Sequence, residues 1–177
     1  MVEELEELEK ILGVKVHVWY LENEEGILAY SWHYDEEKSL NHLRKIEEYH
    51  GLRGNAVYGE YNTWLAEKLR EVLIHGRSFK LPEVSYRNRR VYEEIIKIPR
   101  GKTATYSGIA RKSGVAYTEL LVALLRNPLQ ILIPCHRLLT KKGTLMGFYP
   151  LGKDVKRRLL DMEGAKYGKK DKGQNSP

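Results

Sequence analysis

Cysteine is nearly absent from this 177-residue chain: Cys135 is the only one. A single thiol excludes an internal disulfide framework and any zinc or iron–sulfur centre built on several cysteines. Long apolar runs are lacking as well. Nothing approaches the roughly 20 consecutive apolar residues that a membrane helix needs. The opening Met-Val-Glu-Glu-Leu-Glu has neither the basic start nor the apolar stretch of a secretory leader. There is no internal repeat. A soluble protein of a reducing, cytoplasmic compartment is the expectation.

What is present is a core-forming share of apolar residues, 42%, enough for one large domain or two small ones. Charge is divided unevenly. Residues 1–80 hold 10 Lys/Arg against 16 Asp/Glu, and residues 81–177 hold 20 against 8, within a net charge of +6. A polyanion is therefore attracted to the second half and repelled by the first. The 31% charged content, rich in Lys and Glu, fits a thermophile.

Hydrophobic patterning divides the chain in the same way. In residues 1–80, Leu5, Leu8, Ile11 and Leu12 have helical spacing. Val14–Tyr20 alternates as a strand, Asn23–Gly26 turns, and Ile27–His33 returns, making a hairpin. Lys38–Tyr49 and Tyr61–His75 read as helices, so this part is a small α/β domain. Residues 81–164 form a second, mainly α domain. Arg89–Ile98 is an amphipathic helix stopped by Pro99. Thr105 is a good N-cap for a helix over Tyr106–Lys112. After Ser113-Gly114 a second helix covers Tyr117–Arg126. Two short helices about a glycine turn match helix-turn-helix spacing, in a winged-helix-like setting. Leu129–Ile133 reads as a short buried strand, Lys153–Met162 as a basic helix, and Ala165–Pro177 as a basic, mobile tail.

Cys135 follows that apolar run within Pro134-Cys135-His136-Arg137. A lone cysteine is ordinarily an inert core residue. Here His136 is an adjacent proton acceptor, Arg137 adds positive charge, and a buried segment delivers the thiol to a defined place, which is the setting a thiolate nucleophile needs. Neighbouring side chains on a regular strand face opposite ways. A working Cys135/His136 pair therefore requires the backbone to turn at Pro134. Glu163, after the last helix, has two open readings: a carboxylate orienting His136, or a solvated helix end. Tyr106 is either an aromatic reader of a base or a core residue.

Asn127-Pro-Leu-Gln-Ile-Leu-Ile-Pro-Cys-His-Arg137 resembles the active-site signature of the O6-alkylguanine-DNA alkyltransferases, the methylated-DNA–protein-cysteine methyltransferases. The likeness extends to Ile98–Ala110, Gly147–Tyr149, Gly152, Lys156 and Leu159–Gly164. The resemblance implies a DNA repair protein that takes an alkyl group from O6 of guanine onto Cys135 in one turnover. His136 would be the general base acting through water, and Glu163 would hold its tautomer. Asn127 would shape the active-site turn. Tyr106 would donate to the leaving base, the Cys135 and Leu138 carbonyls would accept from its amino group, and Tyr149 would line the alkyl pocket. Arg137 would brace the site and, with Arg126, belong to the DNA-facing set. The implied partner is double-stranded DNA carrying a damaged base, flipped out of the duplex. No metal or cofactor is implied, and a monomer, nucleoid-associated in a prokaryote, is expected.

Departures from the family pattern fall on the DNA side. Thr118 stands where the family places its intercalating arginine, with Tyr117 beside it as a substitute wedge. Glu119 and Leu121 follow, where a neutral and a small residue are usual. Pro150 replaces a serine whose backbone N–H contacts O6, and proline has no N–H. These changes keep open a homologue that acts on another modified or deaminated base, or one that binds lesions without alkyl transfer. A cysteine hydrolase unrelated to DNA is the reading outside this class.

Overall fold

The computed structural model of the chain describes residues 1–168. Helix α1 (Glu6–Leu12) is closed by Gly13 in the left-handed conformation. Strands β1 (His17–Asn23) and β2 (Gly26–His33) form the hairpin. Helix α2 (Glu36–His50) follows, its first turn capped by Asp35, which accepts from the Lys38 N–H at 2.9 Å. Strand β3 (Asn55–Tyr58) and helix α3 (Asn62–Leu73) complete this half. The sheet is antiparallel in the order β2-β1-β3, with Tyr20 opposite both Tyr30 and Val57.

Strand β2 explains how the two halves meet. Its residues are buried from Leu28 through Trp32, so both faces are covered. On one face the Ser31 hydroxyl donates to the Ser39 carbonyl of α2 at 2.6 Å. On the other the Trp32 indole donates to Gln130 Oε1 at 2.7 Å. β2 is also a sheet edge, where unpaired backbone groups must find partners. The Tyr30 N–H donates to the Pro128 carbonyl at 2.9 Å, and the Leu28 carbonyl accepts from the Tyr86 hydroxyl at 2.5 Å. One continuous core therefore joins residues from Leu8 to Leu159 across the break in charge.

The second half contains α4 (Arg89–Ile96), β4 (Ala104–Thr105), α5 (Tyr106–Ser113), α6 (Tyr117–Leu125), a single 3-10 turn (Cys135–Arg137), β5 (Leu138–Leu139) and α7 (Lys153–Met162). Thr105 Oγ1 accepts from the Gly108 N–H at 3.0 Å and starts α5 as its sequence predicts. Gly114 (φ 70°) ends α5 in a conformation that costs glycine nothing, and the chain turns into α6. β4 and β5 pair in parallel, Ala104 opposite Leu138, which fixes the end of the Cys135 turn.

Two expectations change. Leu129–Ile133 is fully buried except for Gln130, but it is a sequence of turns, not a strand. Ile131 adopts φ 79°, where a β-branched residue is strained, so the segment cannot extend. The stretch expected to be a mobile tail begins as ordered chain. Ala165 and Tyr167 pack near Leu139, Leu145 and Leu160, and the Gly168 N–H donates to the Gly143 carbonyl at 2.6 Å. Residues 169–177 lie outside the described residues. Among the described residues, no helix is long and apolar enough to cross a membrane.

Candidate active site around Cys135

Asn127 builds the turn that carries the thiol. Its Oδ1 accepts from the Leu129 N–H at 2.9 Å, and its Nδ2 donates to the Ile133 carbonyl at 3.2 Å and to Cys135 Sγ at 3.4 Å. The Cys135 N–H donates to the Ile133 carbonyl at 2.7 Å and the Arg137 N–H to the Pro134 carbonyl at 2.9 Å. The backbone thus turns at Pro134, as a Cys/His pair requires. Burial pushes the Cys135 thiol up from its ordinary value, against the Asn127 hydrogen bond and the positive charge of Lys156. At neutral pH the resting sulfur is protonated, so the site needs a proton acceptor.

His136 is fully buried, with Nε2 3.1 Å from Glu163 Oε1. An ionised carboxylate only accepts, so Nε2 carries the ring proton and Nδ1 is the basic nitrogen. Nδ1 is buried without a protein partner. Burial pushes the His136 pKa below its usual range, despite the pull of Glu163, so the ring is neutral. Burial also pushes Glu163 up, but its bonds to His136 and Arg137 prevail and hold the carboxyl low. Arg137 reaches both Glu163 oxygens, at 3.0 and 2.5 Å, and donates to the carbonyls of Ile98 at 2.7 Å and Val72 at 3.4 Å.

Glu163 is thus buried against His136 and Arg137 and is not a solvated helix end. Arg137 is corrected in one respect. It is 4% exposed and engaged on every side, so it braces the site and does not face DNA. Leu138 is fully buried, and its N–H donates to the Cys135 carbonyl.

Cys135 opens on a cavity of about 260 Å³ lined by Tyr106, Leu121, Leu124, Leu125, Gln130, Met146, Gly147, Phe148 and Tyr149. Its wall is apolar, and its polar groups converge from Tyr106 and Gln130. Such a site excludes water from a thiolate and holds a flat, weakly polar group against it. The Tyr106 hydroxyl accepts from Lys156 Nζ at 2.6 Å, leaving its own proton to donate into the cavity. Tyr149 is 50% exposed, with the His33 and His42 rings edge-on to it. Pro150 follows it at the rim.

On α6, Tyr117 and Thr118 are exposed. Arg126 is half-buried at the helix end, its carbonyl bonded to His50 Nε2 at 2.8 Å. Glu119 is half-exposed and accepts from Asn88 Nδ2 at 2.6 Å and from the Tyr49 hydroxyl at 3.1 Å. Its charge is thereby engaged within the protein, with Arg87 Nε 4.0 Å away.

The sequence reading assigned no role to Lys156 or Gln130. Each carried a signal: Lys156 lies on the buried stripe of α7 with Val155, Leu159 and Leu160, and Gln130 interrupts an apolar run. Among the described residues, no His, Cys, Asp and Glu cluster fits a metal ion.

The fold is that of the O6-methylguanine-DNA methyltransferases. The structure is similar to that protein from the hyperthermophilic archaeon Pyrococcus kodakaraensis strain KOD1, with a TM-score of 0.61 at 24% identity over 84% of this chain and 92% of the other. Residues 87–165 match the family described as 6-O-methylguanine DNA methyltransferase, DNA binding domain. Two curated relatives carry the name methylated-DNA–protein-cysteine methyltransferase. The Metallosphaera sedula protein is 42% identical over 76 residues, 43% of this chain and 47% of its own length. The Methanothermobacter thermautotrophicus protein is 45% identical over 76 residues, 43% of each chain. The matched segment thus spans less than half of either relative.

Proposed function

We propose that this protein reverses alkylation damage in double-stranded DNA by moving the alkyl group from O6 of a guanine to Cys135, once per molecule. The observation that carries the reading is the buried Cys135–His136–Glu163–Arg137 cluster beside an apolar cavity, in a segment that matches the methyltransferase family's DNA-binding domain. The His136 Nδ1 takes the thiol proton through a water, with Glu163 holding the tautomer and sharing the positive charge that forms. The sulfur then attacks the carbon on O6 in line. The S–C bond forms as the C–O6 bond breaks, and the electron pair leaves with the guanine. Tyr106, polarised by Lys156, donates a hydrogen bond to the departing base. The net exchange places the alkyl group on sulfur and the thiol hydrogen on guanine. A thioether does not return its alkyl group to DNA, and the exchange requires no cofactor.

In this reading α5 and α6 are the helix-turn-helix of a winged-helix-like unit spanning residues 81–164, and residues 1–80 are the α/β domain that backs it. The basic half meets the phosphates, α6 presents Tyr117 and Thr118 to the duplex, and Tyr149 closes over the extruded base. A monomer suffices, since the cluster is complete within one chain. Pro150 favours a second reading: without an N–H at the rim, the site suits a base with fewer acceptors, another modified or deaminated one.

Stoichiometry tests the reaction. An oligonucleotide carrying a labelled O6-methylguanine should transfer one equivalent of label per protein and then stop. Continued turnover, or release of a free base, would replace alkyl transfer with hydrolytic chemistry.

A further inference from the structure

Gln130 has no role in the mechanism above, yet its side chain is nearly buried and its amide is fully directed. Oε1 accepts from the Trp32 indole at 2.7 Å, and Nε2 donates to the Tyr149 carbonyl at 3.0 Å. An indole N–H can only donate. The Trp32 contact therefore excludes the flipped amide and fixes Nε2 as the donor side, with one hydrogen on the Tyr149 carbonyl and a second left over, and Gln130 and Cys135 line the same cavity. The backbone around it is equally tied down: the Tyr30 hydroxyl donates to the Gln130 carbonyl and the Tyr30 N–H to the Pro128 carbonyl. Strand β2 of the N-terminal half thus holds the residue from outside the active-site segment.

We propose that Gln130 is a second amide donor to the Cys135 thiolate, beside Asn127, and that Trp32 is the positioning residue that keeps its donor aimed there. The inference rests on Cys135 being the nucleophile proposed above, and it gives the N-terminal half a share in the chemistry. A thiolate accepts hydrogen bonds far better than a thiol, so a donor fixed beside sulfur favours the ionised form. Gln130 is among the groups that pull the buried thiol down, against the effect of burial. The same amide holds the Tyr149 carbonyl, so the thiol and the cavity rim share one support.

Cys135 is the only thiol in the chain, so its ionisation can be followed without DNA. The test is the pH profile of carbamidomethylation by iodoacetamide, read by intact mass, in wild type and variants. Gln130→Met, of similar size and without donors, should raise the apparent thiol pKa by about one unit, slowing labelling at pH 7 about tenfold. Gln130→Glu should raise it further, because a second negative charge then lies beside the thiolate. Trp32→Phe, which leaves Gln130 in place but frees its amide to flip, should shift the profile in the same direction by less. It supplies the same test should Gln130→Met not fold. Unchanged profiles in folded Gln130→Met, or in folded Trp32→Phe if the first is unstable, would overturn the proposal. Because the probe involves no nucleic acid, failure of alkyl transfer from DNA would leave this result standing, and the reverse also holds.

Discussion

Replacing Glu163 by Gln keeps the side chain's size and removes its charge. In the native site Oε1 accepts from His136 Nε2 at 3.1 Å and from Arg137 Nε at 3.0 Å, while Oε2 accepts from Arg137 Nη2 at 2.5 Å. A glutamine amide must set its NH2 against one of these donors, and Arg137 is left as a buried cation without a counter-charge. Removing one partner of a buried ion pair costs about 3–5 kcal/mol. For a chain of this size each kcal/mol lowers the melting temperature by roughly 2–4 °C, so a fall of roughly 10–15 °C is expected at pH 7. Because folding holds Glu163 below its ordinary pKa, its contribution is complete above the unfolded carboxylate value. It is lost as the pH falls through the lower, folded value. The gap between wild type and Glu163→Gln should therefore narrow toward acid. The same substitution frees the His136 tautomer, and loss of general-base action should slow alkyl transfer about 10²–10⁴-fold. Scanning calorimetry between pH 3 and 8 and single-turnover kinetics measure the two effects. A melting temperature within about 2 °C of wild type, with an unchanged transfer rate, would refute the role given to the cluster.

Other predictions follow from particular residues. Burial, reinforced by the charge of Arg126, pushes His42 down to about 4, so the folded ring is neutral while the unfolded ring gains a proton near its ordinary value. Stability from this residue is complete above pH 6.5 and declines by ~3 kcal/mol as the pH falls to 4, and His42→Leu should flatten that part of a pH–melting curve. DNA binding should weaken steeply with salt, log K falling linearly with log salt concentration, and a flat response would remove the basic half from the interface. Pro150→Ser restores an N–H at the rim and Thr118→Arg an intercalating cation. Pro150→Ser should raise the transfer rate toward the roughly 10²–10³-fold that a single oxyanion donor contributes elsewhere, and Thr118→Arg should tighten DNA binding. No gain in rapid-quench or binding assays would mean that this chain reads the base by other contacts.

The sequence foretold what local chemistry decides. Thr105 predicted the start of α5, the Ser113-Gly114 turn its end, and the basic stretch Lys153–Met162 the whole of α7, because caps and helical patterns act over a few residues. The hairpin was legible from alternation and its turn. What escaped depends on partners far along the chain. β3 is four residues long and takes its identity from pairing with β1. Leu129–Ile133 reads as a strand by composition, but Asn127 hydrogen bonds and the left-handed Ile131 fold it into turns. Among the proposed site residues, Cys135 and His136 stood out by adjacency, whereas Glu163 needed the fold to bring it beneath the imidazole. The hydrogen bonds that hold Glu119 come from Asn88 and Tyr49, which no local pattern links to it.

Intact-protein mass spectrometry after incubation with a duplex oligonucleotide carrying one O6-methylguanine tests the central claim most directly. One methyl group should replace one hydrogen, mapped by peptide fragmentation to Cys135 and absent from Cys135→Ala, which still binds the duplex. An unmodified Cys135 in folded, DNA-bound protein would contradict alkyl transfer and turn the search toward other damaged bases.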